Sequence, residues 1–199
     1  MKNQYIIILA AALFGSVTLA SCDKDDDNDD GSCIQDHCIG DSYQGGIIFY
    51  LDGLGGGLIS APTDQASAPE GEAGGAEWGE MDNNVSGASG TALGTGYQNT
   101  IDIEAGCTTS GTAADICANL TLGGYNDWFL PSKDELKLMY QNICWGNGEL
   151  GNVGGFQRNF YWSSSEAGAS NAWRGDFNQG GRSFVFKDFS HRVRAVRAF

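Results

Sequence analysis

One stretch of the chain concentrates residues able to do chemistry. Arg182-Ser183-Phe184-Val185-Phe186-Lys187-Asp188-Phe189-Ser190-His191 sets phenylalanines among charges of both signs, with no clean helix or strand period. Arg174, Asp176 and Asn178 lie just upstream. Exposed aromatics and arginine carry most of the contact energy at interfaces. The chemistry expected is therefore ligand contact, through Arg174, Asp176, Asn178, Arg182, Phe184, Phe186, Asp188, Phe189 and His191. The competing reading is a plain strand and loop whose phenylalanines face a core.

Catalytic chemistry has less support. The two histidines, His37 and His191, sit in no nucleophile-elbow or zinc-protease motif. Ser163-Ser164-Ser165 invites a nucleophile reading, but no base accompanies it, so scaffold hydrogen bonding is expected. The glycine-rich run 53–57 matches neither the P-loop nor the dinucleotide-binding pattern. No enzyme activity and no cofactor are expected. Of the six cysteines, all but Cys22 suit structural use in an oxidising compartment. Short spacings suggest Cys33–Cys38 and Cys107–Cys117 as bridges, leaving Cys144 over. A zinc site would lack paired C-x-x-C knuckles, and no metal is expected.

The front of the chain reads as an address. Lys2 precedes an apolar run, 5–20, shorter than the roughly 20 residues of a spanning helix. It ends in Leu19-Ala20-Ser21-Cys22, which resembles the lipobox of bacterial lipoproteins, where the cysteine is acylated. Residues 1–21 are then a lipoprotein signal peptide, and 22–32 hold the acylated Cys22 and an acidic tether. Asp23-Lys24-Asp25-Asp26-Asp27-Asn28-Asp29-Asp30 repels itself too strongly to fold. It lacks the glycine turn and distal glutamate of an EF-hand loop. An acidic run after the lipidated cysteine also resembles the surface-export signal of Bacteroidetes lipoproteins. The expected location is the outer membrane, lipid-anchored and exposed, with the membrane touched only by the lipid.

Residues 33–199 must position the contact residues. Thirty glycines against three prolines favour short strands and ordered loops over a helical bundle. The run 45–53 predicts a buried strand, with 57–61 as its hairpin partner. A long ordered loop follows from 62 to 96, anchored by Trp78. Short helices are expected over 99–105 and 112–120. Ser132 and Glu135 form a capping box ahead of Leu136, Met139, Tyr140 and Ile143, one apolar helix face. Strands are expected over 126–130, 160–165, 172–177 and 182–187. The alternating stretch 192–199 predicts a central strand whose arginines meet carboxylates of the acidic part.

Charge is unevenly spread. Residues 31–155 hold 16 Asp+Glu against two Lys, whereas 156–199 hold seven Lys+Arg against three Asp+Glu. A net charge of −14 argues against nucleic-acid binding. The basic end either pairs internally or offers a face to polyanions. Strand alternation of the terminal arginines favours internal pairing.

Four stretches in order carry a family resemblance: Ile39-Gly40-Asp41 with Gly45-Gly46-Ile47-Ile48-Phe49-Tyr50; Gly123-Gly124-Tyr125-Asn126-Asp127-Trp128-Phe129-Leu130-Pro131-Ser132; Tyr161-Trp162-Ser163-Ser164-Ser165; and Val193-Arg194-Ala195-Val196-Arg197. Together they resemble the C-terminal domain of the Legionella collagen-like protein. That resemblance implies an α+β, C-type lectin-like fold. Formylglycine-generating enzymes share this general fold but use a reactive cysteine pair, and the last cysteine here is Cys144, before the contact segment.

The segment 162–199 also resembles the variable region of proteins diversified by diversity-generating retroelements. There the Trp-Ser-Ser-Ser and Val-Arg-Ala-Val-Arg frames are scaffold, and asparagine codons between them mutate at adenines. Such codons cannot yield Trp, Gln, Lys, Glu or Met, so Glu166, Trp173, Gln179 and Lys187 must be scaffold or lie outside the scheme. The variable segment would span about 167–191. The implied function is display of a variable ligand-binding face toward an unknown protein or glycan on another cell, phage or host. The alternative is a glycan-binding adhesin using Arg158, Arg174 and Arg182.

Overall fold

The computed structural model describes residues 33–66, 75–146 and 148–199. The signal peptide, Cys22 and the acidic tether lie outside the described residues. Among the described residues the architecture is α+β: a two-stranded, a four-stranded and a three-stranded antiparallel sheet with three helices. None of the described helices is long and apolar enough to cross a membrane.

β1 (Cys33–Ile34) and β2 (His37–Cys38) form a hairpin clasped by the expected Cys33–Cys38 disulfide. β3 (Ser42–Tyr43), β4 (Gly46–Leu51) and β5 (Gly57–Ser60) follow. The 53–56 turn closes as its sequence requires, with Asp52 Oδ1 accepting from the backbone N–H of Leu54 and Gly56. Gly46 is needed where β4 meets β5, because a Cβ there would lie 2.8 Å from the Ser60 carbonyl oxygen.

No strand or helix interrupts the described part of the loop between β5 and α1 (Gly96–Gly106). α2 (Ala113–Ala118) starts from Thr112, and α3 (Lys133–Ile143) carries the expected capping box of Ser132 and Glu135. Leu136, Met139 and Ile143 are buried along one face, as their spacing implies. Glu135 does more than cap its own helix. Its Oε1 also accepts from the N–H of Gly94 (2.8 Å), so one buried carboxylate ties the loop entering α1 to the start of α3.

β6 (Phe160–Gly168), β7 (Asn171–Asp176) and β8 (Arg182–Phe186) make a meander with β8 at its edge. Two clusters form the core. Buried indoles fasten one of them: Trp78 Nε1 donates to the Ser163 carbonyl (2.9 Å) and Trp162 Nε1 to the Ala76 carbonyl (2.8 Å).

Three expectations need correction. Residues 126–130 are not a strand; Phe129 makes a single bridge to Val196, between the glycine turn at 123–124 and Pro131. β9 (Val196–Ala198) is short and closes the order β3-β4-β5-β9 rather than lying centrally. The residues before it bond to other partners, Val193 to Ala66 and Arg192 to Phe160 and Trp162, which leaves three for the sheet. Cys107 and Cys117 are separate thiols. Cys107 follows α1 and turns toward the Thr109 carbonyl, whereas Cys117 faces the core from α2, where burial and then Glu104 push its thiol pKa upward.

Candidate functional site

The edge strand β8 and the turn after it carry three exposed phenylalanines: Phe184 (58%), Phe186 (50%) and Phe189 (46%). The pairing register of β8 explains two of them. Register pairs Trp173 with Phe184 and Asn171 with Phe186, placing Arg182, Phe184 and Phe186 on one side of the sheet. The Trp173 and Phe184 rings meet edge-on at 5.4 Å, and Lys133 Nζ lies 4.7 Å over Trp173. Arg182 bridges Asp134 at the start of α3 (3.1 Å). The α3 terminus therefore continues this face.

Ser183 and Val185 point to the opposite side, with Arg174. Arg174 is heavily engaged. Its guanidinium stacks 3.7 Å over Phe160, its Nε donates to Ser183 Oγ (3.2 Å), and its Nη1 donates to His191 Nε2 (2.9 Å). This contact fixes His191 as the neutral tautomer protonated on Nδ1. The nine expected contact residues are thus not one patch. Arg182, Phe184 and Phe186 share a face; Arg174 and His191 form a half-buried cluster behind it. Asp176 is a turn former, its Oδ1 accepting from the backbone N–H of Asn178 and Gln179, while Asn178 and Asp188 are exposed. His191 is only 9% exposed, because its ring lies 4.5 Å from Trp162 at the core boundary.

Burial first, then Arg174, pushes the His191 pKa down to about 4. The unfolded chain takes up this proton near pH 6.5, and the folded chain resists it. The contribution is complete above pH 6.5 and is lost as pH falls toward 4, at about 1.4 kcal/mol per pH unit. Burial raises Glu135, and burial then Asp115 raise Glu104, with the opposite effect on acid stability. A comparison isolates the histidine: urea midpoints of the parent should fall more steeply than those of His191→Gln between pH 6.5 and 4. Parallel profiles would refute this assignment.

What lies beneath the phenylalanines is a buried ion pair. Lys187 is fully buried between exposed Phe186 and Phe189. Its Nζ donates to Glu166 Oε1 (2.6 Å) and to the carbonyls of Asn83 (2.7 Å) and Glu80 (3.3 Å), and lies 4.7 Å over Trp78. Glu166 Oε1 also accepts from Val85 N–H (2.8 Å). The serines of β6 are scaffold as expected: Ser163 Oγ donates to the Trp173 carbonyl, and Ser165 Oγ to that of Gly90.

Sequence reasoning missed the hub under the basic tail. Asp64 Oδ1 accepts from Arg194 Nε (2.8 Å) and Nη2 (2.6 Å), while its Oδ2 accepts from Arg192 Nη1 (2.8 Å) and Tyr161 OH (3.1 Å). Arg197 pairs with Asp127 and stacks 3.7 Å over Tyr125. The terminal arginines are thus paired inside the fold with carboxylates of the acidic part, as their alternation implied. Asp64 sits in a featureless small-residue loop, and no local signal marks it.

Among the described residues no group of His, Cys, Asp and Glu forms a metal-binding set. The family model described as the Lcl C-terminal domain matches residues 74–197, a span that contains the three-stranded sheet and both buried ion-pair systems apart from Asp64. No curated protein matches the chain.

Proposed function

The chain belongs to the Lcl C-terminal domain family, and on that premise we propose that it is a cell-surface lipoprotein whose C-type lectin-like domain binds ligands through the β8 face. The observation that carries this reading is the contrast along 182–189. Phe184, Phe186 and Phe189 project to solvent while Lys187, between them, is locked to Glu166. Exposed phenylalanines lose apolar surface to water only when a partner covers them. A rigid backbone beneath them limits the ordering cost of binding.

The same contrast suits diversification by a retroelement. Glu166 and Lys187, which adenine mutagenesis of asparagine codons cannot produce, are framework. Ala167, Asn178, Arg182, Ser183, Phe184, Phe186, Asp188, Phe189 and Ser190, which it can produce, are exposed. Exchange at those positions alters surface contacts and leaves the Glu166–Lys187 pair in place; only Ser183 and Phe189 among them reach the Arg174–His191 cluster. The domain acts as a binding module rather than a catalyst, toward a protein or glycan on another cell, phage or host. Acylation at Cys22 holds it on the outer membrane, facing outward. The anionic-glycan alternative draws less support, since Arg182 is paired with Asp134 and Arg174 with the Phe160–His191 cluster.

Sequencing this locus across related isolates tests the reading. Substitutions should cluster within 167–191 at adenine-derived codons, with Glu166 and Lys187 constant. Substitutions spread evenly along the chain would reject it.

A further inference from the structure

Away from β8, a cleft of about 430 Å³ opens between α1, the end of α2 and the segment 126–129. Tyr97, Ile101 and Glu104 line it from α1 at i, i+4 and i+7, one stripe of the helix. Tyr97 and Ile101 are 53% and 43% exposed, large apolar groups turned outward on a helix whose other side is core. Trp128 and Phe129, both nearly fully buried, complete the apolar lining, and Tyr97 meets Phe129 edge-on at 5.7 Å. The volume suits a small organic ligand.

The charges around this cleft are unbalanced. Asp127 is paired with Arg197, which is itself spent on Gln44 and Tyr125. The Glu104 carboxylate has no hydrogen bond or ion pair among the described residues, and its electrostatic neighbour is another acid, Asp115. Asp115 is occupied with the N–H of Gly111 and the side chain of Asn119. A half-buried acid with only a like charge beside it is relieved by a cation. Aromatic walls favour a cation that carries an apolar body. A single unpaired carboxylate does not make a metal site.

We propose that this cleft binds an amphiphilic organic ammonium ion, its apolar body against Tyr97, Ile101 and Trp128 and its charged head at Glu104. Calorimetric titration of the chain with phenethylammonium tests this, with phenethyl alcohol as the uncharged counterpart. Saturable one-to-one binding is expected, weakened about tenfold both by Glu104→Gln and by exchanging the amine for the alcohol. Ile101→Trp, which fills the cleft from an exposed position, should abolish binding while leaving the circular dichroism unchanged. No binding by the parent chain, equal affinity for amine and alcohol, or undiminished binding in both variants would overturn the proposal. If Glu104→Gln fails to fold, the alcohol comparison and Ile101→Trp decide it.

Discussion

Asp64→Ala is expected to destabilise the fold by about 3–5 kcal/mol, the usual cost of removing one partner from a buried pair. The side chains that would lose this carboxylate are deeply placed: Arg192 and Arg194 are 9% and 1% exposed, and Asp64 itself is 7% exposed. Arg194 would keep the carbonyls of Ala61 and Gly154 and its stacking on Phe156. Those groups hydrogen-bond a guanidinium without neutralising it. Tyr161 would lose its acceptor as well. Asp64→Asn keeps an acceptor oxygen and should cost less, so the ordering of the two variants separates charge from shape. Urea denaturation measures both; a loss below about 1 kcal/mol for Asp64→Ala would show the cluster to be hydrated.

Lys187→Met should cost a comparable 3–5 kcal/mol. It leaves the buried Glu166 carboxyl with only the Val85 N–H, and leaves the Glu80 and Asn83 carbonyls without their shared donor. The double variant Glu166→Gln/Lys187→Met should recover part of the loss, since replacing a buried ion pair by neutral groups is far milder than breaking it. The two singles and the double, compared by denaturation, form a cycle; strict additivity would refute the pair as a unit. Lys187 is also the point at which the exposed turn is pinned to the domain. Its loss should loosen Phe189 in the turn, while Phe184 and Phe186, both paired through β7, keep their places.

The elements were readable from the sequence to unequal degrees. α3 was plain because a capping box and an apolar stripe agree on it. β4 was plain from a glycine-bounded apolar run, with β5 as its hairpin partner, and the strands expected over 160–165, 172–177 and 182–187 are β6, β7 and β8. The 126–130 segment misled because Trp128, Phe129 and Leu130 look like a strand and are buried, yet only Phe129 finds a backbone partner. Burial and pairing are separate properties, and composition reports only the first. Cys107 and Cys117 misled for a similar reason, since short spacing permits a bridge but does not aim the thiols at each other.

The candidate face was legible in part. Phe184 and Phe186 emerged as exposed, but sequence could not place Arg174 and His191 on the other side of the sheet, because that division depends on the pairing register. Nor could it find Asp64 or the loop carbonyls at Glu80 and Asn83. Those partners are distant in sequence and bear no motif; only the surplus of terminal arginine hinted that carboxylates had to meet them.

The threading of 191–196 between the sheets has a consequence for the order of assembly. The Arg192 and Arg194 contacts to Asp64 span 128 and 130 residues of sequence, and β9 must find β5 across a comparable distance. Closing loops of that length precedes any reward from the contacts they enable. The helices and the β6–β8 meander are local and can form early, but neither core cluster is sealed until the tail has docked. Folding should therefore be slow and late-committing, with its rate governed by capture of the arginine-bearing segment.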